Sequence, residues 1–276
     1  MSIEAIKVVT DSTASLPPDL AKGKNIDIIP AIITFKDRSF RDGVDIGMEE
    51  FMRLLKESPV LPTTAAPVLG DYITVYQQHP GKIVSVHLGS GFSAIFSSAV
   101  TAAEEFEGRI HPFDTGSVSL GIGFMAIKAA DLAMQGATVE QILEELDDMK
   151  ERTTVMASLD TLDNLQKGGR ASRTQNLFGS LLQIKPILEI KNNEFSLIEK
   201  PRTRKKSLAR LVELTESLGL LEQVAVLHAD TPQDGETVAQ EIGKFYPHQI
   251  MLGNIGPALA THGGPGIVGV AAVRKK

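Results

Sequence analysis

Apolar and polar positions along this chain follow two different patterns. In the first half, short apolar runs recur, each leading through a turn into a stretch with apolar residues three or four apart. Ile6-Lys-Val-Val-Thr10, Ile26–Phe35 with Pro30 interrupting it, Lys82-Ile-Val-Ser-Val-His87 and Arg109-Ile-His-Pro-Phe113 read as strands. They are short, β-branched and nearly continuous in apolar character, as buried parallel strands are. Helical spacing follows over Met48–Lys56, Leu69–Gln78, Ala94–Phe106 and Ser119–Gln135. A further helix starts at the capping box Thr138-Val-Glu-Gln141 and runs to about Arg152. Strand–turn–helix alternation predicts a three-layer α/β domain with a parallel sheet over residues 1–153.

The pattern changes near Thr153. Thr154–Leu159 reads as a strand, Thr161–Lys167 as a helix closing in Gly168-Gly169-Arg170, and Leu177–Gln183 as another helix. Two alternating runs then flank Asn192-Asn193, a hairpin signal. Helices over Lys205–Leu218 and Thr231–Phe245 are interleaved with strands Gln223–His228, Gln249–Gly253 and Ile267–Val273; a glycine-rich loop, Ala260-Thr-His262-Gly-Gly-Pro-Gly266, precedes the last of these. A hairpin mixed with helices predicts an α+β domain with a mixed sheet over 154–276, so the expected fold class is α/β with two domains and a ligand between them.

Composition narrows the function. The 276 residues suffice for two domains, and 42% hydrophobic with 22% charged is ordinary for a globular chain. A net charge of −6 and the absence of tryptophan argue against nucleic acid as a partner. With no cysteine, disulfides and thiolate metal sites are excluded, and the six histidines lack metal-ligand spacing. The start of the chain shows no signal-peptide pattern and no apolar run reaches the roughly 18 residues of a membrane span, so a cytoplasmic location is expected.

The chemistry centres on Leu88-Gly-Ser-Gly-Phe-Ser93, between a strand and a helix. Ser93 stands where an N-cap belongs, which would set its hydroxyl beside free helix N–H groups, a place that favours an anion. Thr63 and Thr64 lie between two prolines and present two more hydroxyls. His262, in a polar glycine loop, could donate to an anion near neutral pH, and Arg170 ends a helix in a glycine turn. The same turn admits other readings. Gly89-x-Gly91-x-x-Ala94 matches a dinucleotide fingerprint, with Asp114 where a ribose-binding acid belongs, so a nicotinamide-dependent oxidoreductase is the alternative. Against it, the unit lies deep in the chain behind two other strands. Ser93, Asp160 and His262 follow the order of a hydrolase triad, but the elbow G-x-S-x-G lacks its second glycine.

Several segments together resemble the DegV family. These are Thr63-Thr64-Ala-Ala-Pro67, Leu88-Gly-Ser-Gly-Phe-Ser93, Asp114-Thr-Gly-Ser-Val-Ser119-Leu-Gly121-Ile-Gly123, Lys167-Gly-Gly-Arg170, Ile184-Lys-Pro-Ile-Leu-Glu189, Arg202-Thr-Arg-Lys-Lys206 and His262-Gly-Gly-Pro-Gly266, which run in the family's order from end to end. The resemblance implies a two-domain protein that holds one long-chain fatty acid, such as palmitate, and is not itself an enzyme. It also implies that Thr64 and Ser93 contact the carboxylate with His262 and Arg170 nearby, and that the chain resembles the acyl-binding subunit of a bacterial fatty acid kinase. No cofactor is implied. Departures are Ala65-Ala66 where the family has Ser-Gln, and Ala94-Ile95-Phe96 where it has Gly-Thr-Tyr. Arg202 and Arg204 form the basic start of a predicted helix, where cations oppose the helix dipole, and are expected to bind a kinase partner and not to serve the fold.

Overall fold

The structure is a computed structural model that describes residues 6–170, 174–175 and 184–276. A four-stranded parallel sheet occupies the first half, in the order Ile26–Ile29, Lys7–Asp11, Ile83–His87, Ile110–Asp114. Every residue of Lys7–Asp11 and Ile83–His87 is buried. These strands lie centrally, which explains why their sequences carry no polar face. Helices Leu69–Gln77 and Ile95–Ala103 cover one side, with Tyr72, Tyr76, Ala99 and Ala102 packed against Val9, Ile29 and Ile83.

Helix Leu120–Met134 covers the other side, and ten of its fifteen residues are buried. It is apolar all round because it is packed on more than one front. Its neighbours include Val8 and Val84 of the parallel sheet and Val155 and Ala271 of the second sheet, all in one continuous apolar cluster. The glycines inside it follow from that squeeze. A Cβ on Gly121 would lie 2.8 Å from Val155 Cγ2, and one on Gly123 would lie 3.0 Å from the Ala14 carbonyl oxygen. Close packing, and not ligand approach, is therefore what these glycines provide.

The second sheet has seven strands in the order Met251–Asn254, Leu221–His228, Val268–Arg274, Thr153–Ser158, Ile187–Lys191, Glu194–Glu199, Thr174–Gln175. It is mixed, its two outermost pairs parallel and the rest antiparallel. One face (Val155, Ala157, Leu188, Ile190, Leu227) joins the large cluster. The other (Met156, Ile187, Val226, Val268, Val270) packs under helices Arg204–Ser217 and Pro232–Ile242. The Asn192-Asn193 hairpin forms as expected, both residues having positive φ, 49° and 67°. The expected helix Leu177–Gln183 lies outside the described residues.

Four expectations change at the level of elements. Pro30 divides the run Ile26–Phe35 between two sheets: Ile26–Ile29 pairs in the parallel sheet, while Ile32–Phe35 is the centre of a small antiparallel sheet with Arg38–Arg41 and Thr63–Ala65. Proline cannot donate to a ladder, so the chain changes sheet there. The proline-flanked segment at Thr63-Thr64, which its sequence would suit to a loop, is thus an edge strand. Ser93 is not the N-cap; the helix starts at Ile95 with Ala94 at the cap, and Ser93 Oγ accepts only a long bond, 3.4 Å, from the Ile95 N–H. His262 is in no loop but in the last turn of helix Pro257–Gly263, which begins with proline and ends against Gly264 at φ +82°.

Candidate functional site

The strand ends of the parallel sheet meet the inner face of the mixed sheet around two adjoining apolar cavities. One is lined by Val118, Leu159, Leu188, Phe195, Leu259 and Ile267 among others, the second by Thr13, Thr64, Phe92, Ser93, Arg170 and again Phe195, Leu259 and His262. Val118 also borders both. The polar groups gather at the second cavity, so the space is apolar along its length and polar at one end.

Four of the five expected ligand residues meet there, carried by four separate elements. Thr64 is brought in by the edge strand, where it pairs with Ile33 and its Oγ1 lies 2.7 Å from His262 Nε2. Thr63 is exposed and drops out of the site, since adjacent side chains of a strand point to opposite faces. The histidine ring lies so close to Gly168 that a Cβ there would be 2.6 Å from Nδ1. Gly169 follows at φ +72°, and Arg170 then folds back, its Nη1 donating to the Gly168 carbonyl at 2.7 Å. Both glycines of Gly168-Gly169-Arg170 thus have a geometric task, to admit the imidazole and to reverse the chain. Burial, reinforced by the positive Arg170, lowers the His262 pKa to about 4. The ring is neutral at pH 7, and its Nδ1 is buried with no hydrogen-bond partner among the described residues. It therefore acts on Thr64 as a neutral group, and the cation at the site is Arg170.

The turns that frame the cavity are held from below. Asp11, fully buried, accepts from the Thr13 N–H and the Leu88 N–H, each at 3.0 Å, and from the Thr13 hydroxyl. Its other contact is His87 Nδ1 at 3.0 Å, and His87 Nε2 in turn meets Ser85 Oγ, which meets Tyr76. His87 is thus a core residue, as its place at a strand end implies. Thr13, Phe92, Phe195 and Leu259 were not legible as site residues, because ordinary core composition carries no mark of a cavity.

The competing readings fail on contacts. The glycines of the dinucleotide fingerprint have no open space above them. A Cβ on Gly89 would lie 2.4 Å from Asn193 Oδ1, and one on Gly91 would lie 2.3 Å from the Asn193 carbonyl oxygen. Asp114 is not free for a ribose, as it accepts from Ser90 N–H (3.1 Å), Ser90 Oγ (2.6 Å), Gly116 N–H (2.9 Å) and Asn193 Nδ2 (3.0 Å). A triad is also absent, since Asp160 pairs with Lys185 and Arg204 while His262 Nε2 meets Thr64. Among the described residues no group of three side chains could hold a metal.

Arg204 departs from its expected role. Its guanidinium lies 2.8 Å from Asp234 and 3.4 Å from Asp160, so it ties the start of one helix to the start of the next. The two carboxylates explain why a cation is accommodated in the first turn. Arg202 is exposed.

The chain is thus an α/β fold with one parallel and one mixed sheet, closed around adjoining apolar cavities with hydroxyls and an arginine at one end. The chain belongs to the DegV family: a family model described as DegV, uncharacterised protein, matches residues 5–275. Protein DegV of Bacillus subtilis strain 168 is 36% identical over 275 residues, covering 96% of this chain and 98% of that protein. The crystal structure of DegV, a fatty acid binding protein from Bacillus subtilis, superposes with a TM-score of 0.90 at 35% identity, covering 99% of this chain and 100% of that one. A DegV family protein from Thermus thermophilus, described for its fatty acid binding, gives a TM-score of 0.91 at 28% identity over 98% of this chain and 100% of that one.

Proposed function

We propose that this chain binds one long-chain fatty acid between residues 1–153 and 154–276. The carboxylate sits among Thr64, Ser93, Arg170 and His262, and the tail runs along Val118, Phe195, Leu259 and Ile267. The observation that carries this reading is the shape of the polarity: an apolar space whose hydroxyls concentrate at one end, where Thr13, Thr64 and Ser93 stand with the cation Arg170. The relatives described as fatty acid binding proteins support it. In the Nε2–H tautomer, His262 donates to Thr64 Oγ1 and leaves the threonine hydrogen free to donate to the ligand. That arrangement leaves a lone pair, and not an N–H, unpartnered at Nδ1. A palmitate-length tail gains about 0.8 kcal/mol per buried CH₂, on the order of 10 kcal/mol before ordering costs, which is ample for tight binding.

In this reading the protein carries an acyl group and performs no chemistry of its own. It presents the carboxylate to a kinase partner for acyl-phosphate formation, with the exposed Arg202 as the docking residue, in the cytoplasm of a bacterium. The decisive measurement is mass spectrometry of lipid extracted from the purified, denatured protein, with thermal shifts against palmitate and NAD. A stoichiometric fatty acid and a response to palmitate alone are expected. An extract without lipid, or a response to NAD, would overturn the reading.

A further inference from the structure

Two motifs of this sequence, the glycine-rich turn and the Asn192-Asn193 hairpin signal, are complementary surfaces of one contact. The hairpin tip of the mixed sheet enters a notch in the parallel-sheet half whose walls are Gly89, Gly91 and Gly116. Each of the three faces the tip so closely that a Cβ on it would come within 3.3 Å of Asn192 or Asn193. Asn193 makes three hydrogen bonds across this contact. Its backbone N–H donates to the Gly116 carbonyl at 3.0 Å, its Oδ1 accepts from the Gly91 N–H at 3.0 Å, and its Nδ2 donates to Asp114 Oδ2 at 3.0 Å. One side chain thereby joins the turns that follow two neighbouring parallel strands.

This clasp adjoins the carboxylate end of the cavity. Ser93 lies two residues beyond Gly91 on the same turn. Between them Phe92 packs on Phe195, ring centroids 4.5 Å apart, and Phe195 lies two residues beyond Asn193 on the hairpin. Phe195 lines both cavities, while Leu188 and Ile190 of the same hairpin line the apolar one. One hairpin therefore walls the tail and fixes the turn that presents Ser93. The carboxylate of Asp114 completes the clasp: burial pushes its pKa up, but the hydrogen bonds from Ser90, Gly116 and Asn193 outweigh that and hold it below the usual range.

We propose that Asn193 is a positioning residue for the carboxylate subsite, holding the Gly89–Ser93 turn so that the site prefers an acid head group over a neutral one. The inference rests on the fatty-acid reading, and the two fail separately: wild-type protein that binds neither palmitate nor hexadecanol would sink that reading.

The test exchanges the two partners. Asn193→Asp sets a second carboxylate against Asp114, while Asn193→Asp with Asp114→Asn restores a donor–acceptor pair with its direction reversed. Gly91 N–H and Gly116 N–H keep their acceptors in the double variant. Dissociation constants for palmitate and for hexadecanol are measured on delipidated wild type and variants. Asn193→Asp is expected to weaken palmitate at least tenfold and hexadecanol less than threefold, and the double variant to recover palmitate to within about threefold. Equal losses for both ligands, unchanged palmitate binding, or no recovery in the double variant would each overturn the proposal. Should Asn193→Asp fail to fold, Asn193→Gly decides in its place, because glycine keeps the positive φ while removing the amide. The same selective loss of palmitate is then expected, and loss of both ligands alike overturns it.

Discussion

At the scale of single residues, the proposed head-group site combines neutral hydroxyls and a neutral imidazole with, among the described residues, one cation, Arg170. Ser93→Ala and Thr64→Ala each delete a hydroxyl donor to a charge. Since hydrogen bonds to charged groups are worth about 1.5–3 kcal/mol, each variant should lose roughly tenfold or more in palmitate affinity by titration calorimetry. Two buried titrating groups near the site act in opposite senses. His262 is lowered to about 4, so between pH 6.5 and 4 the unfolded chain binds the extra proton and stability falls as pH falls. Asp42, buried beneath helix Pro257–Gly263 with Ser12 Oγ donating to it at 2.8 Å, is raised by burial to about 6. The folded chain binds that proton first, so this contribution grows as pH falls from 6 to 4. Each shift corresponds to about 3 kcal/mol over its full range, and in the wild type the two largely offset. Urea unfolding at pH 7 and pH 5 should therefore show His262→Gln gaining stability relative to wild type on acidification, and Asp42→Asn losing it. Parallel pH profiles for all three proteins would contradict these assignments.

At the scale of elements, the two arginines at the start of helix Arg204–Ser217 separate cleanly. Thr203 caps the helix through its side chain, accepting from Lys206 N–H at 3.3 Å, and Arg204 bridges to Asp160 and Asp234. Removing a half-buried arginine that serves two carboxylates should cost about 1–2 kcal/mol of stability, read as a lowered urea midpoint. Arg202→Ala, on an exposed side chain, should stay within about 0.5 kcal/mol of wild type. A docking role is thus tested by Arg202→Ala alone: lipid binding unchanged, turnover by the host's fatty acid kinase lost. The glycine elements follow the same logic of contact. Gly168 is small because an imidazole lies on it, and Gly121 because a strand does.

At the scale of the whole molecule, the apolar cluster runs unbroken from Val8 through helix Leu120–Met134 to Ala271, so the two halves share one core. A ligand lying in that shared space binds only the closed, folded form. Palmitate at 100 times its dissociation constant should then stabilise by about 2.7 kcal/mol, and a chain of this size should respond by roughly 5–10 °C in Tm. Solvent-delipidated protein is expected to show the lower value and to recover it on palmitate addition. Equal melting temperatures would mean that no ligand occupies the core.

Most elements, the order of the two sheet types and four of the five polar residues that meet at the cavity's polar end were legible in the sequence. Central strands lack a polar face, Thr138 and Gln141 satisfy each other's backbone groups, and two asparagines permit the positive φ of a tight hairpin; all of these are local or periodic properties. Tertiary structure decided what spacing cannot express. Thr64 was separable from Thr63 only once the edge strand fixed which face each presents, and Arg204 became structural only when Asp160 and Asp234 were brought beside it. The meaning of Gly89 and Gly91 turned on what fills the space above them. A glycine records that something comes close but not what it is, and here Asn193, 102 residues beyond Gly91 in the chain, stands where a dinucleotide would have to lie.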